Sequence, residues 1–148
     1  MMIVKQLMPY IAVRDAAAAI DFYTEAFGAV EKFRLVEPGS DKIGHAEIDL
    51  GNATLMLSDE YPDFGALAPE SIGGSPVKLH IYVDEVEEVF ARALKAGAIE
   101  LRPVKQQFFG DRSGMIQDPF GHTWILATKA EDVSPEEMQR RWSAEMSG

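Results

Sequence analysis

The apolar positions of this chain change period in the same order in each half. Residues 8–13, MPYIAV, make a short strand-type run; Asp15 then offers an N-cap, and Ile20, Tyr23 and Phe27 recur at helical spacing until Gly28. Residues 78–83, KLHIYV, repeat the pattern. Asp84 stands as a cap, Glu87 completes a variant capping box, and Val86, Val89, Phe90, Ala93 and Leu94 form a helical stripe ending at Gly97. Further strands follow each helix. In the first half they include GHAEIDL and ATLMLS, joined at Gly51-Asn52; in the second they are AIELRPV, SGMIQ and HTWILAT, the last two joined by a type I turn at Asp118-Pro119-Phe120-Gly121. Each half therefore reads βαβββ, and the fold class is α+β: two tandem βαβββ modules, about 3–60 and 77–129, in a single domain spanning 1–130. Residues 61–76, rich in Pro, Gly and Ser, form the linker. Residues 131–148 form a helical tail that starts at Ser134-Pro135, and Met138 and Trp142 are its packing residues.

Strand alternation assigns the faces. If Leu50 faces Ala53 across the two-residue turn, then Asp49 opposes Thr54, Glu47 opposes Met56 and His45 opposes Ser58. Ala46, Ile48, Leu50, Ala53, Leu55 and Leu57 occupy the other face. That uniformly apolar face must lie under the helices, because leaving it wet forfeits roughly 25 cal/mol per Å². In the second module Leu79, Ile81 and Val83 take the helix side, and Lys78, His80 and Tyr82 the far side. Met8, Tyr10 and Ala12 correspond to them in the first strand. A face carrying His, Glu, Lys, Tyr and Met has the character of a pocket wall.

Composition narrows the partners. With 148 residues the chain can bury roughly two-thirds of its unfolded surface. A net charge of −10, from 24 acids and 14 bases, disfavours nucleic acid. The absence of cysteine removes disulfides and thiolate chemistry and fits a cytoplasmic protein. The opening MMIVKQLMPY is interrupted by Lys5, Gln6 and Pro9, and no stretch approaches the ~20 apolar residues of a membrane span. The expected partner is a small organic ligand, with no nucleic acid and no membrane.

The segments PYIAVRDAAAAIDFYTEAFGA, IGHAEIDLGNATLMLSDE, LHIYVDEVEEVFARALKAGA and QFFGDRSGMIQDPFGHTWILAT resemble, in order, the vicinal oxygen chelate superfamily of glyoxalase I, bleomycin-resistance proteins and extradiol dioxygenases. Within it the chain is most similar to the PhnB-like group, over about residues 3–129. The resemblance implies sheets that curl around a cleft and a homodimer with side-by-side or swapped modules. It also implies, in metal-dependent members, four inward His, Glu or Gln ligands for one divalent ion. Carried over, those positions are Met8, Met56, Lys78 and Ile125, none of which suits such an ion. The resemblance thus points to a binding protein of the bleomycin-resistance kind with no cofactor.

Tyr10, His45, Glu47, Met56, Lys78, His80, Tyr82 and Ile125 are the expected lining. A rival reading makes His45, Glu47 and His80 relocated ligands of a divalent metal in a glyoxalase-like lyase or isomerase. The plainer alternative is that His45 and Glu47 pair with each other in a wet cleft. Lys78 either anchors an anion or reaches into water. Phe108 and Phe109, followed by Gly110, Asp111 and Arg112, suggest a loop cover with Phe109 over the ligand and Arg112 as an anion contact; the alternative is an aromatic plug beside an Asp111–Arg112 ion pair. His122 is read as exposed and given no chemistry. No nucleophile elbow or phosphate loop is present.

Overall fold

The computed structural model describes residues 1–148. Its elements are β1 (Tyr10–Val13), α1 (Ala16–Phe27), β2 (Val30–Val36), β3 (Ile43–Leu50), β4 (Ala53–Asp59), α2 (Pro69–Ile72), β5 (Lys78–Tyr82), α3 (Val86–Lys95), β6 (Ile99–Gln106), β7 (Asp111–Gln117), β8 (Thr123–Lys129) and α4 (Pro135–Ser147). They build two four-stranded sheets, ordered β1-β4-β3-β2 and β5-β8-β7-β6. The two halves thus share one topology, as the repeated pattern predicts. In each sheet the first strand runs parallel to the last and the remaining pairs are antiparallel.

The predicted register is the one found: Leu50 opposes Ala53, Asp49 opposes Thr54 and Glu47 opposes Met56. Ala46, Ile48, Leu55 and Leu57 are buried accordingly. They share one core with Ile20, Phe22 and Tyr23 of α1, Phe90 of α3, and Ile116, Trp124 and Leu126 of the second sheet, while Leu79 and Ile81 pack at its margin. The first strand is shorter than expected. It begins at Tyr10 because Pro9 has no N–H to give the ladder, although its carbonyl still accepts from Met56 N at 3.0 Å. Met8 therefore lies outside the sheet.

The two helix starts show how the modules diverged. Asp15 caps α1 by accepting from Ala18 N, and Gly28 ends the helix in the left-handed region at φ 71°. Asp59, buried at the end of β4, takes a second helix N–H from Ala16 at 2.8 Å and the N–H of Ile43 at 2.6 Å. In the second half the expected Asp84 cap does not form. Glu85 occupies the cap position without a side-chain bond, and Thr128 of β8 instead accepts from Val86 N at 3.1 Å while donating to the Val83 carbonyl. The last strand of each module thus supplies the group that pins its helix. The linker is also more ordered than its composition suggests, holding a 3-10 turn at Pro62–Phe64 and the short helix α2. The tail helix starts as expected, with Ser134 accepting from Glu137 N, and Arg141 ties it to Glu131 and the Phe108 carbonyl. Met138 is half-buried, whereas Trp142 remains largely exposed.

Asp118 joins the modules. It is 2 % exposed, and its two carboxylate oxygens accept four hydrogen bonds: Tyr23 Oη at 2.5 Å and Trp124 Nε1 at 2.9 Å on Oδ2, Phe120 N and His122 N on Oδ1. Tyr23 comes from α1 of the first module and the other three donors from the second. His122, expected to be exposed, is half-buried and bridges the modules: its Nε2 lies 2.9 Å from the Ala12 carbonyl. The turn that carries it closes through Gly121 N to Asp118 O.

Replacing Asp118 with Ala strands several buried donors, each costing about 1–3 kcal/mol, so equilibrium denaturation should show a loss of at least about 3 kcal/mol. Burial, then the charge and hydrogen bond of Asp118, hold the Tyr23 hydroxyl well above the usual tyrosine range. Unfolded Tyr23 ionises near ~10 while the folded chain keeps its proton, so stability from this group is present below that pH and falls as pH rises. The urea midpoint should decline between about pH 9 and 11, and less steeply in Tyr23→Phe. A residual slope is expected from Tyr61 and Tyr82, both also shifted upward.

Candidate functional site

Two rungs cross the open face of the first sheet. One runs Tyr10, Met56, Glu47, Phe33; in the next, Ala12 pairs with Ser58 and His45 with Leu35. Tyr10 and His45 meet diagonally between the rungs. Tyr10 Oη lies 2.8 Å from His45 Nδ1, and His45 Nε2 lies 2.9 Å from Glu47 Oε2. An ionised carboxylate only accepts, so with the imidazole neutral Nε2 carries the hydrogen given to Glu47. Nδ1 then holds a lone pair, and the Tyr10 hydroxyl donates to it. Two strands, β1 and β3, supply this chain of groups, and His45 also lies beside the rings of Tyr10 and Phe33. The plainer alternative for His45 and Glu47, a hydrogen-bonded pair, is the arrangement found.

Above them is a hollow of about 760 Å³. Tyr10, Ala12, His45 and Ser58 form its floor, Leu35 one side, and Tyr61, Phe64 and Leu67 of the linker the opposite wall. The linker is held in place by Glu60, which accepts from Ala68 N at 2.7 Å and from Ser71 Oγ at 2.5 Å. These bonds, that from Ser71 the stronger, keep its carboxyl below the usual carboxylate range. Lys42 Nζ stacks 4.3 Å from the centre of the Tyr61 ring. Residues 61–76, expected as a plain connector, therefore also form this wall. Its available signal was the presence of Tyr61, Phe64 and Leu67 in a Pro- and Gly-rich segment, where large apolar side chains need something to cover.

The remaining expected residues lie elsewhere. Lys78, His80 and Tyr82 are on the far side of the second sheet from α3, as alternation requires, with His80 opposite Ile125. His80 and Tyr82 border a different hollow, of about 460 Å³, with the hairpin end of the first module. Tyr82 donates to Asp111 Oδ2 at 2.7 Å, and this bond, with burial and the Asp111 charge, raises its pKa. Phe109 packs edge-on against Phe108 and faces a third hollow, of about 640 Å³, walled by Val133 and Met138. It therefore lies against the tail and not over His45. Gly110 permits that packing: its φ is +103°, and a side chain there would strike the Glu131 carbonyl. Arg112 corrects the sequence reading. It belongs to β7 and not to a loop, and it points to the helix side, where it pairs with Glu87 in the first turn of α3. That contact holds the Glu87 carboxyl below its usual range.

Residues 3–126 match the Glyoxalase/Bleomycin resistance protein/Dioxygenase superfamily. The chain belongs to this family, and the fold expected from the resemblance is the one observed. It is 42% identical over 146 residues to the uncharacterized protein Mb0911c of Mycobacterium bovis, covering 96% of this chain and 95% of that protein. Among solved structures it is similar to TioX from Micromonospora sp. ML1, with a TM-score of 0.65, 25% identity and coverage of 85% and 99%. A PhnB protein from Bacillus cereus, described as a putative 3-demethylubiquinone-9 3-methyltransferase, shares the fold with a TM-score of 0.64, 20% identity and coverage of 84% and 99%.

The inherited donor positions do not suit a divalent ion. Of the four inherited positions, Met8 lies outside β1, Met56 sits between Tyr10 and Glu47, Lys78 is exposed, and Ile125 lies beside His80. Two thioethers, an ammonium and an alkyl chain do not fit a hard or borderline cation. Nor do His45, Glu47 and His80 gather within the chain, which brings no three His, Asp or Glu side chains together as metal donors.

Because the Arg112–Glu87 pair is exposed and faces away from the hollow, Arg112→Ala should change stability by less than about 1 kcal/mol. It should also leave ligand affinity at the first sheet unchanged, which a titration of both proteins checks.

Proposed function

We propose that this protein binds a small organic molecule in the hollow over its first sheet, without a metal ion. The observation that carries this reading is the hollow itself. It has a size suited to a small molecule, apolar and aromatic walls, and a few polar groups converging on its floor. The mismatch between the inherited positions and metal chemistry supports the same reading. The glyoxalase-like lyase or isomerase alternative needs His80 beside His45 and Glu47, and the two histidines bordering different hollows within the chain weighs against it. A homodimer fits the exposed Tyr82, Ile99 and Leu101 of the second sheet, which leave apolar surface for another copy to cover. The cysteine-free composition fits a cytoplasmic setting, and no helix is long and apolar enough to cross a membrane.

A thermal-shift screen of aromatic and alicyclic compounds, run with EDTA present, tests the reading. A ligand at about 100 times its Kd should add about 2.7 kcal/mol, raising Tm by several degrees. Phe64→Ala, which removes an exposed piece of the wall, should reduce that shift while changing the stability of the free protein by less than about 0.5 kcal/mol. Binding that disappears with EDTA and returns with Zn²⁺, Ni²⁺, Fe²⁺ or Mn²⁺ would reject the proposal.

A further inference from the structure

The floor of the hollow has a hydrogen-bonding polarity that specifies what it accepts. With the His45 imidazole neutral, Glu47 behind it takes the Nε2 hydrogen, so Nδ1 takes the hydrogen of Tyr10. Tyr10 Oη, half-exposed to the hollow, is left with lone pairs only. Ser58, beside it on the floor, likewise gives its hydrogen to the Asp59 carbonyl at 2.9 Å. Glu37, at the side, is a carboxylate already accepting from Ser40. Tyr61, whose hydroxyl makes no side-chain hydrogen bond, is the one free side-chain donor of the lining; it belongs to the linker wall, with its hydroxyl beside Gly44 and its ring under Lys42, and not to the floor at Tyr10. No Lys or Arg lines the hollow. Around these acceptors stand Leu35, Phe64 and Leu67, which suit a flat apolar body.

We propose that the hollow selects a neutral, flat, apolar molecule bearing a hydroxyl or N–H donor, that Tyr10 is the residue that reads the donor, and that His45 positions it by holding its hydrogen. Carboxylates and phosphates are rejected because the floor presents lone pairs to them and no cation lines the cavity. The capped analogue of a good ligand is rejected because it brings no donor to Tyr10. This inference rests on the proposed binding of a small molecule in the same hollow.

The test uses three probes with one ring system: 2-naphthol, 2-methoxynaphthalene and 2-naphthoate, titrated by calorimetry or tyrosine fluorescence at neutral pH. Loss of one neutral hydrogen bond is worth about tenfold in affinity, so naphthol should bind about tenfold tighter than its methyl ether, with naphthoate weakest. Tyr10→Phe should abolish the preference for naphthol by weakening naphthol alone. His45→Leu releases the Tyr10 hydrogen to point into the hollow, so the methyl ether should gain relative to naphthol. A residue that merely supports the sheet would lower Tm without altering the ratio of the two affinities. Should His45→Leu fail to fold, the Tyr10→Phe ratio alone decides the case. Equal binding of naphthol and its ether to the unaltered protein, tightest binding of naphthoate, or an unchanged ratio in Tyr10→Phe would each overturn the inference while leaving the binding function standing. If none of the three probes binds, the reading of the hollow as an organic-ligand site fails and the inference fails with it.

Discussion

The docking of the two modules depends on one buried carboxylate. Asp118 sits in the turn before β8, yet Tyr23 of the opposite module supplies one of its four donors. The turn geometry, the orientation of Trp124 and the docking of α1 against the second sheet are therefore coupled through two oxygen atoms. Tyr23 and Phe27 also pack on the Trp124 ring, so the polar link lies inside an apolar cluster. In that setting hydrogen bonds strengthen and unmet donors become expensive. Arg92, donating to the Glu25 carbonyl from the surface of α3, joins the same halves at the periphery, where solvent weakens its contribution.

The two modules use one plan with different chemistry. A carboxylate at Asp59 and a hydroxyl at Thr128 each secure a helix start from the last strand of their module. On the open faces, the first sheet carries the Glu47, His45, Tyr10 chain, whereas the second pairs Tyr82 with Asp111 and leaves His80 beside the Tyr82 ring. Duplication thus preserved the backbone and let the exposed sheet faces diverge. The covered faces could not diverge in the same way, because both contribute to a single core.

The legible features of the sequence were those set by local rules. Alternation around Gly51-Asn52 fixed which side chains of β3 and β4 face the helices, and any one-residue slip would have buried Glu47 and His45. Turn chemistry identified residues 118–121. Non-local contacts were hidden. Nothing near Thr128 in the chain indicates that it caps a helix 42 positions earlier. The apparent capping box of Asp84 and Glu87 fails because Glu87 faces Arg112 and the helix begins at Val86. His122 looked like a turn residue because its partner, the Ala12 carbonyl, lies 110 positions away. The placement of His80 apart from His45 depends on how the sheets pack, which strand parity does not encode.

The linker joins the modules and also walls the hollow through Tyr61, Phe64 and Leu67, with Glu60 fastening its fold. Because it lies outside both sheets, insertions and exchanges there change the volume and lining of the chamber while leaving strand register intact. Ligand repertoire can therefore diversify along a connector, at little risk to the duplicated frame.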